Sequence, residues 1–187
     1  MVFRINVTPP PICEREILRY AGSFEKDPQT EALLQECLEE AKEIFAYRIC
    51  YRFLEEKSDL LKLPPLQRYF SSCKKRVVFA ATVGVEIDRL IAKYGRISPA
   101  KALMFQALGT ERVEALCDAF CKELERESQM KALRRISPGY GELPLSLQKE
   151  IFPLLDCQRQ IGLTLGSSLL MSPTKSVTAF VGLKEQL

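Results

Sequence analysis

Residues 74–94, KKRVVFAATVGVEIDRLIAKY, change their hydrophobic period at a single glycine, and no other stretch constrains the fold as strongly. From Val77 to Val83 the chain is an apolar run of strand length, rich in β-branched side chains. From Val85 to Tyr94 the apolar groups recur at helical spacing, so Gly84 marks a strand-to-helix turn. A glycine between strand and helix is also how phosphate-binding loops begin. A dinucleotide fingerprint, however, needs three glycines, and a P-loop needs two and a lysine. A tight turn is the better reading of ATVG, with Glu86 and Asp88 favouring the dipole of the helix that follows.

The same periodicities place the other elements. Asp27-Pro28 reads as an N-cap followed by proline at the first helical position, and Ala32, Leu33, Leu34, Cys37, Leu38, Ala41, Ile44 and Phe45 continue a long amphipathic helix. Tyr47, Ile49, Tyr51 and Phe53 then alternate as in a half-buried strand, with the switch near Ala46. Pro64-Pro65 interrupts the chain before a short helix in LQRYFSSC. Ser98-Pro99 opens a helix whose stripe runs from Leu103 to Leu124, with Gly109 as the expected kink. Residues 131–136 form a further strand, two short apolar segments flank Gly166, and Val177, Ala179 and Val181 share a face of a terminal strand over Ser176–Val181. Strands near 47, 77, 132, 162 and 177 lack the strand–helix alternation of a doubly wound parallel sheet. The expected class is α+β, helices packed on a mostly antiparallel twisted sheet. One domain over 1–187 is the simplest division, with a helical N-terminal part over 1–57 as the candidate subdivision.

Composition removes whole classes of function. The 27 basic and 24 acidic side chains are interspersed and sum to +3, so no nucleic-acid face is expected. No apolar run approaches the roughly 20 residues that span a bilayer, and MVFRINVTPP lacks the apolar core of a secretory signal, so no membrane partner and a cytoplasmic location are expected. Seven cysteines, an odd number, read as reduced thiols, and Cys117 and Cys121 lack the second pair of a zinc ribbon. There is no histidine. That excludes Ser-His-Asp and Cys-His nucleophile arrangements, the usual near-neutral base and any imidazole ligand to a metal.

Two stretches remain as candidate sites. Glu114 and Asp118 lie one helical turn apart in GTERVEALCDAFCKELERE; such charge is normally a solvated face, but Val113, Leu116 and Cys117 put Glu114 at the border of the apolar stripe, where it can reach a cleft. In RRISPGYGELP the chain leaves a strand through Ser-Pro-Gly. Main-chain groups not consumed by secondary structure would sit there beside Arg135, whose guanidinium can grip a carboxylate through two parallel hydrogen bonds. Both a structural turn and a ligand site satisfy that pattern.

Arg135-Ile-Ser-Pro-Gly139-Tyr140 resembles the R-x-x-x-G-Y signature of the activation domain of cobalamin-dependent methionine synthase, in a short stand-alone form. ALGTERVEAL resembles the helix preceding that signature, with Glu114 at its acidic position, and IGLTLGSSLLMSPTKSV resembles the segment after it. AATVG is similar to the turn from sheet to helix in short members. The resemblance implies an S-adenosylmethionine site at Glu114, Arg135, the backbone around Ile136, Gly139 and Tyr140. Arg135 would pair with the ligand carboxylate, Glu114 with its ammonium, and the main chain near the turn with adenine. The implied role is to present the methyl donor, in trans, to cob(II)alamin held by the cobalamin-binding module of methionine synthase, with a flavodoxin-type protein supplying the electron. No side chain of the chain itself would be catalytic, because the sulfonium methyl is already activated and the protein supplies position. Gly-Tyr is followed here by Gly-Glu-Leu-Pro-Leu, where the family usually has Pro-x-Cys-Pro and a nearby histidine. A non-catalytic interaction protein of the same fold, and a reactivator of another corrinoid methyltransferase, are the alternatives.

Overall fold

The computed structural model describes residues 1–7, 11–23 and 27–185. In chain order the elements are β1 (Phe3–Ile5), α1 (Glu14–Tyr20), α2 (Pro28–Glu40), β2 (Arg48–Phe53), a short turn of 3-10 helix (Asp59–Lys62), α3 (Pro64–Phe70), β3 (Lys75–Thr82) and α4 (Glu86–Tyr94). They continue with α5 (Pro99–Ser128), β4 (Lys131–Ala132), a second 3-10 turn (Leu145–Leu147), α6 (Gln148–Leu155), α7 (Cys157–Ile161), β5 (Thr164–Leu165), β6 (Met171–Ser172) and β7 (Ser176–Lys184).

Five strands form one sheet in the order β1-β2-β3-β7-β4, every neighbouring pair antiparallel, and β5 and β6 form a separate ribbon. The α+β class read from the sequence is the class observed. β3 lies at the centre, where Phe79 faces Tyr51 of β2 on one side and Ala179 of β7 on the other. Its side chains alternate between two cores. Val77, Phe79 and Ala81 pack with Ile17 of α1, Leu34 of α2, Ile87 of α4 and Phe105 and Phe120 of α5. Val78 and Ala80 pack with Leu66 and Phe70 of α3, Ile151 and Leu155 of α6 and Ile161 of α7. A strand buried on both faces is nearly all apolar, which is why Val77 to Val83 shows no polar alternation; its one hydroxyl, Thr82, is buried and accepts from the Ser176 hydroxyl at 2.8 Å. Among the described residues no helix is long and apolar enough to cross a membrane.

Several local expectations change. α2 ends at Glu40 and not near Phe45, because the chain must turn to enter the sheet: Ala46 donates to the Val83 carbonyl at 2.9 Å and packs against Gly84. Gly84 has φ +92°, and a Cβ there would meet that of Ala46 at 3.0 Å, so the position requires glycine on both counts. Asp27 caps α2 as expected, accepting from the amides of Gln29 and Thr30. Ser98 makes no such side-chain bond at the start of α5. α5 runs through Gly109 as one 30-residue helix, since the missing side chain is replaced by packing: a Cβ would come within 2.8 Å of Lys175 Cγ. The strand expected near 162 is the pair Thr164–Leu165, outside the main sheet, and β1 has no counterpart among the expected strands.

Candidate functional site

The edge of the sheet beyond β7 positions the candidate arginine. β4 pairs Ala132 with Leu183, and the Leu133 amide donates to the Gly182 carbonyl at 2.8 Å. Pairing resumes only at Ile136, whose N–H and C=O both bond to Phe180, at 3.0 and 2.8 Å. Arg134 and Arg135 therefore stand opposite the single residue Val181, which is a β-bulge. The bulge is stapled from below by the Tyr69 hydroxyl, which donates to the Arg134 carbonyl at 2.9 Å and accepts from the Gly182 amide at 3.2 Å. Burial pushes the Tyr69 phenol up to about 12, so it keeps the proton it donates.

Above the sheet, α5 supplies the partners. Glu114, Asp118 and Glu125 fall on one stripe of the helix: Glu125 accepts from the Ala132 amide at 2.8 Å, and the Arg135 guanidinium is held by Glu114 through Nη2 and by Asp118 through Nη1. The Arg135 side chain is 19% exposed. Burial opposes its charge, but the Asp118 hydrogen bond and the two carboxylates outweigh that and hold it above the ordinary arginine value.

Glu114 and Asp118 also line a cleft of about 570 Å³ between α5 and α1, together with Glu16, Tyr20, Cys13, Pro11, Glu111 and Lys122. One wall is tied down from within. Glu111 and Arg112, both buried, form a paired contact (2.5 and 2.6 Å); Arg112 also donates to the Pro11 carbonyl at 2.7 Å, and Glu111 accepts from the Cys13 amide at 3.2 Å. Four carboxylates and one lysine line the cleft, and each carboxylate is paired with an arginine outside the lining: Glu16 with Arg19, Glu111 with Arg112, and Glu114 and Asp118 with Arg135. The lining itself is therefore carboxylate-rich, a setting for a cationic group, while the charge behind it is balanced.

The turn after the bulge is closed on itself. The Tyr140 amide donates to Ser137, the Gly139 amide to Leu143 at 2.8 Å, and the Leu143 amide to Tyr140. Gly139 has φ +89°, with Leu145 Cδ1 3.2 Å from where a Cβ would stand, and Tyr140 is 77% exposed. The structure thus brings Arg135 and Glu114 into contact, but of the expected site residues only Glu114 lines the cleft: Arg135 lies behind Glu114 and Asp118, Ile136 is in the sheet edge, and Gly139 and Tyr140 sit at the outer turn. The expectation of unconsumed main-chain groups does not hold at Ile136: its N–H and C=O complete the sheet, because the bulge returns the chain to register with β7. Sequence reasoning misses Tyr69, which carries no local signal, and reads Asp118 as a solvated charge. Its spacing of four from Glu114 is the available clue.

The family model described as vitamin B12 dependent methionine synthase, activation domain, matches residues 71–186. The fold is similar to the crystal structure of the MetH reactivation domain bound to AdoHcy, at a TM-score of 0.68 and 15% identity, covering 100% of this chain and 79% of that one. No curated protein matches.

Proposed function

The chain belongs to the family of activation domains of vitamin B12 dependent methionine synthase, and from that premise we propose that it binds S-adenosylmethionine at Arg135 and Glu114 and presents the methyl group to a partner's cobalamin. The observation that carries this reading is the Arg135 guanidinium, largely buried and clamped by two carboxylates that also face an acidic cleft. A ligand with a carboxylate, an ammonium and a sulfonium matches that set of charges. Its carboxylate would replace an internal one on Arg135, and Glu114, freed from the arginine, would take the ammonium. The remaining cleft carboxylates favour the sulfonium. Gly139 and Tyr140, beside the bulge, would border the nucleoside, along with the backbone around Ile136.

When bound, S-adenosylmethionine supplies an electrophilic methyl group. The chain contributes position: the Tyr69 staple holds the bulge, the bulge aims Arg135, and α5 sets the distance from Glu114. With no histidine in its sequence the chain has no imidazole for cobalt, which fits a cobalamin carried by the methionine synthase partner. Action in trans, in the cytoplasm, with a flavodoxin-type donor completes the proposal.

Titration calorimetry tests it. S-Adenosylmethionine gives saturable heat, and Arg135→Ala lowers affinity about tenfold or more, the range for a hydrogen bond between charged groups. No heat at millimolar ligand refutes the binding. A second assay adds the protein to a partner carrying oxidised cobalamin, reductant and S-adenosylmethionine; unchanged recovery of the methylated cofactor refutes the reactivating role. The second reading, an interaction protein without ligand, is favoured by the internal saturation of Arg135 and Ile136, and calorimetry separates the two.

A further inference from the structure

At the opposite edge of the sheet, four strand spacings or roughly 20 Å from the β4 edge, a second cleft of about 410 Å³ lies between β1, the start of β2 and α7. Its charge is the reverse of the first. Arg4, Arg48 and Arg159 line it, and among the described residues no carboxylate does. Among the described residues none of the three arginines has an acidic partner within salt-bridge distance, although most other arginines of the chain have one.

Two of these arginines are fixed in place. Arg4 donates through Nε to Gln160 Oε1 at 3.0 Å and through Nη2 to the Arg159 carbonyl at 2.7 Å; Arg48 donates through Nη1 to the Ile161 carbonyl at 3.4 Å. Those carbonyls belong to the last turn of α7, so the bonds satisfy a helix C-terminus and leave the guanidinium forks ordered beside the cleft. Gly162, at φ +72°, opens the floor: a Cβ there would stand 3.3 Å from Arg48 Nη1. These bonds consume three of the N–H groups of Arg4 and Arg48, and Arg159 makes no side-chain hydrogen bond with the described residues. Asn6 and Gln158 add neutral amides to the lining.

Three like charges around one cavity repel one another, and two are held there by bonds that do not neutralise them. A multiply charged oxyanion resolves that. A carboxylate carries one charge and two acceptors in a plane; a phosphate carries close to two charges and three terminal oxygens, matching three guanidinium forks approaching from different elements. The volume exceeds that of the free ion and falls within the range of small-molecule pockets. We propose that this cleft binds the phosphate group of a small phosphorylated molecule. The site is separate from Arg135 and independent of the function proposed above.

The experiment titrates the full chain, in a phosphate-free chloride buffer, with inorganic phosphate, glycerol 3-phosphate and malonate as a dicarboxylate of similar charge. Saturable binding of the two phosphates, weaker binding of malonate, and tighter binding of glycerol 3-phosphate than of phosphate are expected. Arg159→Glu, which removes no side-chain bond of the fold, lowers affinity tenfold or more; Arg48→Gln does the same, with folding checked by circular dichroism. Arg96→Ala, at an exposed turn, and Arg135→Ala leave it unchanged. The proposal is overturned by no saturable binding, by malonate binding as well as phosphate, or by binding that survives Arg159→Glu.

Discussion

The Tyr69 hydroxyl stands 2.9 Å from the Arg134 carbonyl, and through it a helix on one face of the sheet fixes a bulge whose next residue serves the other face. Tyr69 also receives the Gly182 amide, so it occupies the place of a ladder partner between β7 and the bulged edge. Replacement by phenylalanine leaves one N–H and one C=O without that partner. Tyr69→Phe is expected to cost about 1–3 kcal/mol in urea unfolding, and to speed hydrogen exchange of the Gly182 amide. Unchanged stability would show that the staple is ornamental.

Asp118 is the outer of the two carboxylates on Arg135, with a side chain 63% exposed, so solvent screens its pairing and its contribution to stability is small. Its proposed effect is competitive, since it holds the guanidinium that the ligand carboxylate needs. Asp118→Asn should tighten S-adenosylmethionine by up to about fivefold, the equivalent of the ~1 kcal/mol upper range for exposed pairs. A tenfold loss of affinity would instead make Asp118 a ligand contact.

Glu111 and Arg112 are buried neighbours on α5 that together hold the backbone at Pro11 and Cys13. Removing one partner strands a buried charge. Glu111→Gln is expected to destabilise the protein by about 3–5 kcal/mol, and the double change Glu111→Leu with Arg112→Met to recover part of that loss. Equilibrium denaturation of the double variant beside the single variants Glu111→Leu and Arg112→Met gives the coupling, and additivity of the two single losses would refute it.

Alkaline pH should unfold the protein through its buried thiols. Burial pushes Cys37 from the ordinary 9.0 up to about 11, with Glu36 and Glu40 adding to the rise and Lys101 opposing it. The unfolded chain therefore releases this proton near pH 9 while the native state keeps it until about 11. Native protein binds more protons across that window, so stability is fully present below it and falls as pH rises through it. Cys37→Ala should flatten the decline between those limits relative to the parent. An identical slope in both proteins would remove Cys37 as its cause.

Local chemistry is legible wherever a few adjacent residues decide the matter. The β-branched run, Gly84 and the helical spacing after it define β3, its turn and α4, and Asp27-Pro28 and Pro99 start their helices where capping and proline geometry require. The signature around Arg135 and the acidic position at Glu114 are visible too, as residue types at a spacing. Their meaning needs more than spacing. The end of α2 is set by a hydrogen bond from Ala46 to Val83, 37 residues away in sequence, and the strand at 131–136 is broken by a bulge that only Tyr69 and β7 can stabilise.

By itself, then, the sequence determined the long central elements, the α+β class and the family, because these follow from periodicity, turn residues and motifs within reach of one another along the chain, while the short elements β1, α1 and α7 left no such signal. The tertiary structure alone decided the strand order, the bulge that turns Arg135 toward α5, the acidic cleft on one side and the arginine-lined cleft on the other. Those depend on antiparallel pairing and on hydrogen bonds and charges between residues tens to more than a hundred positions apart. Such contacts leave no periodic trace in a single chain.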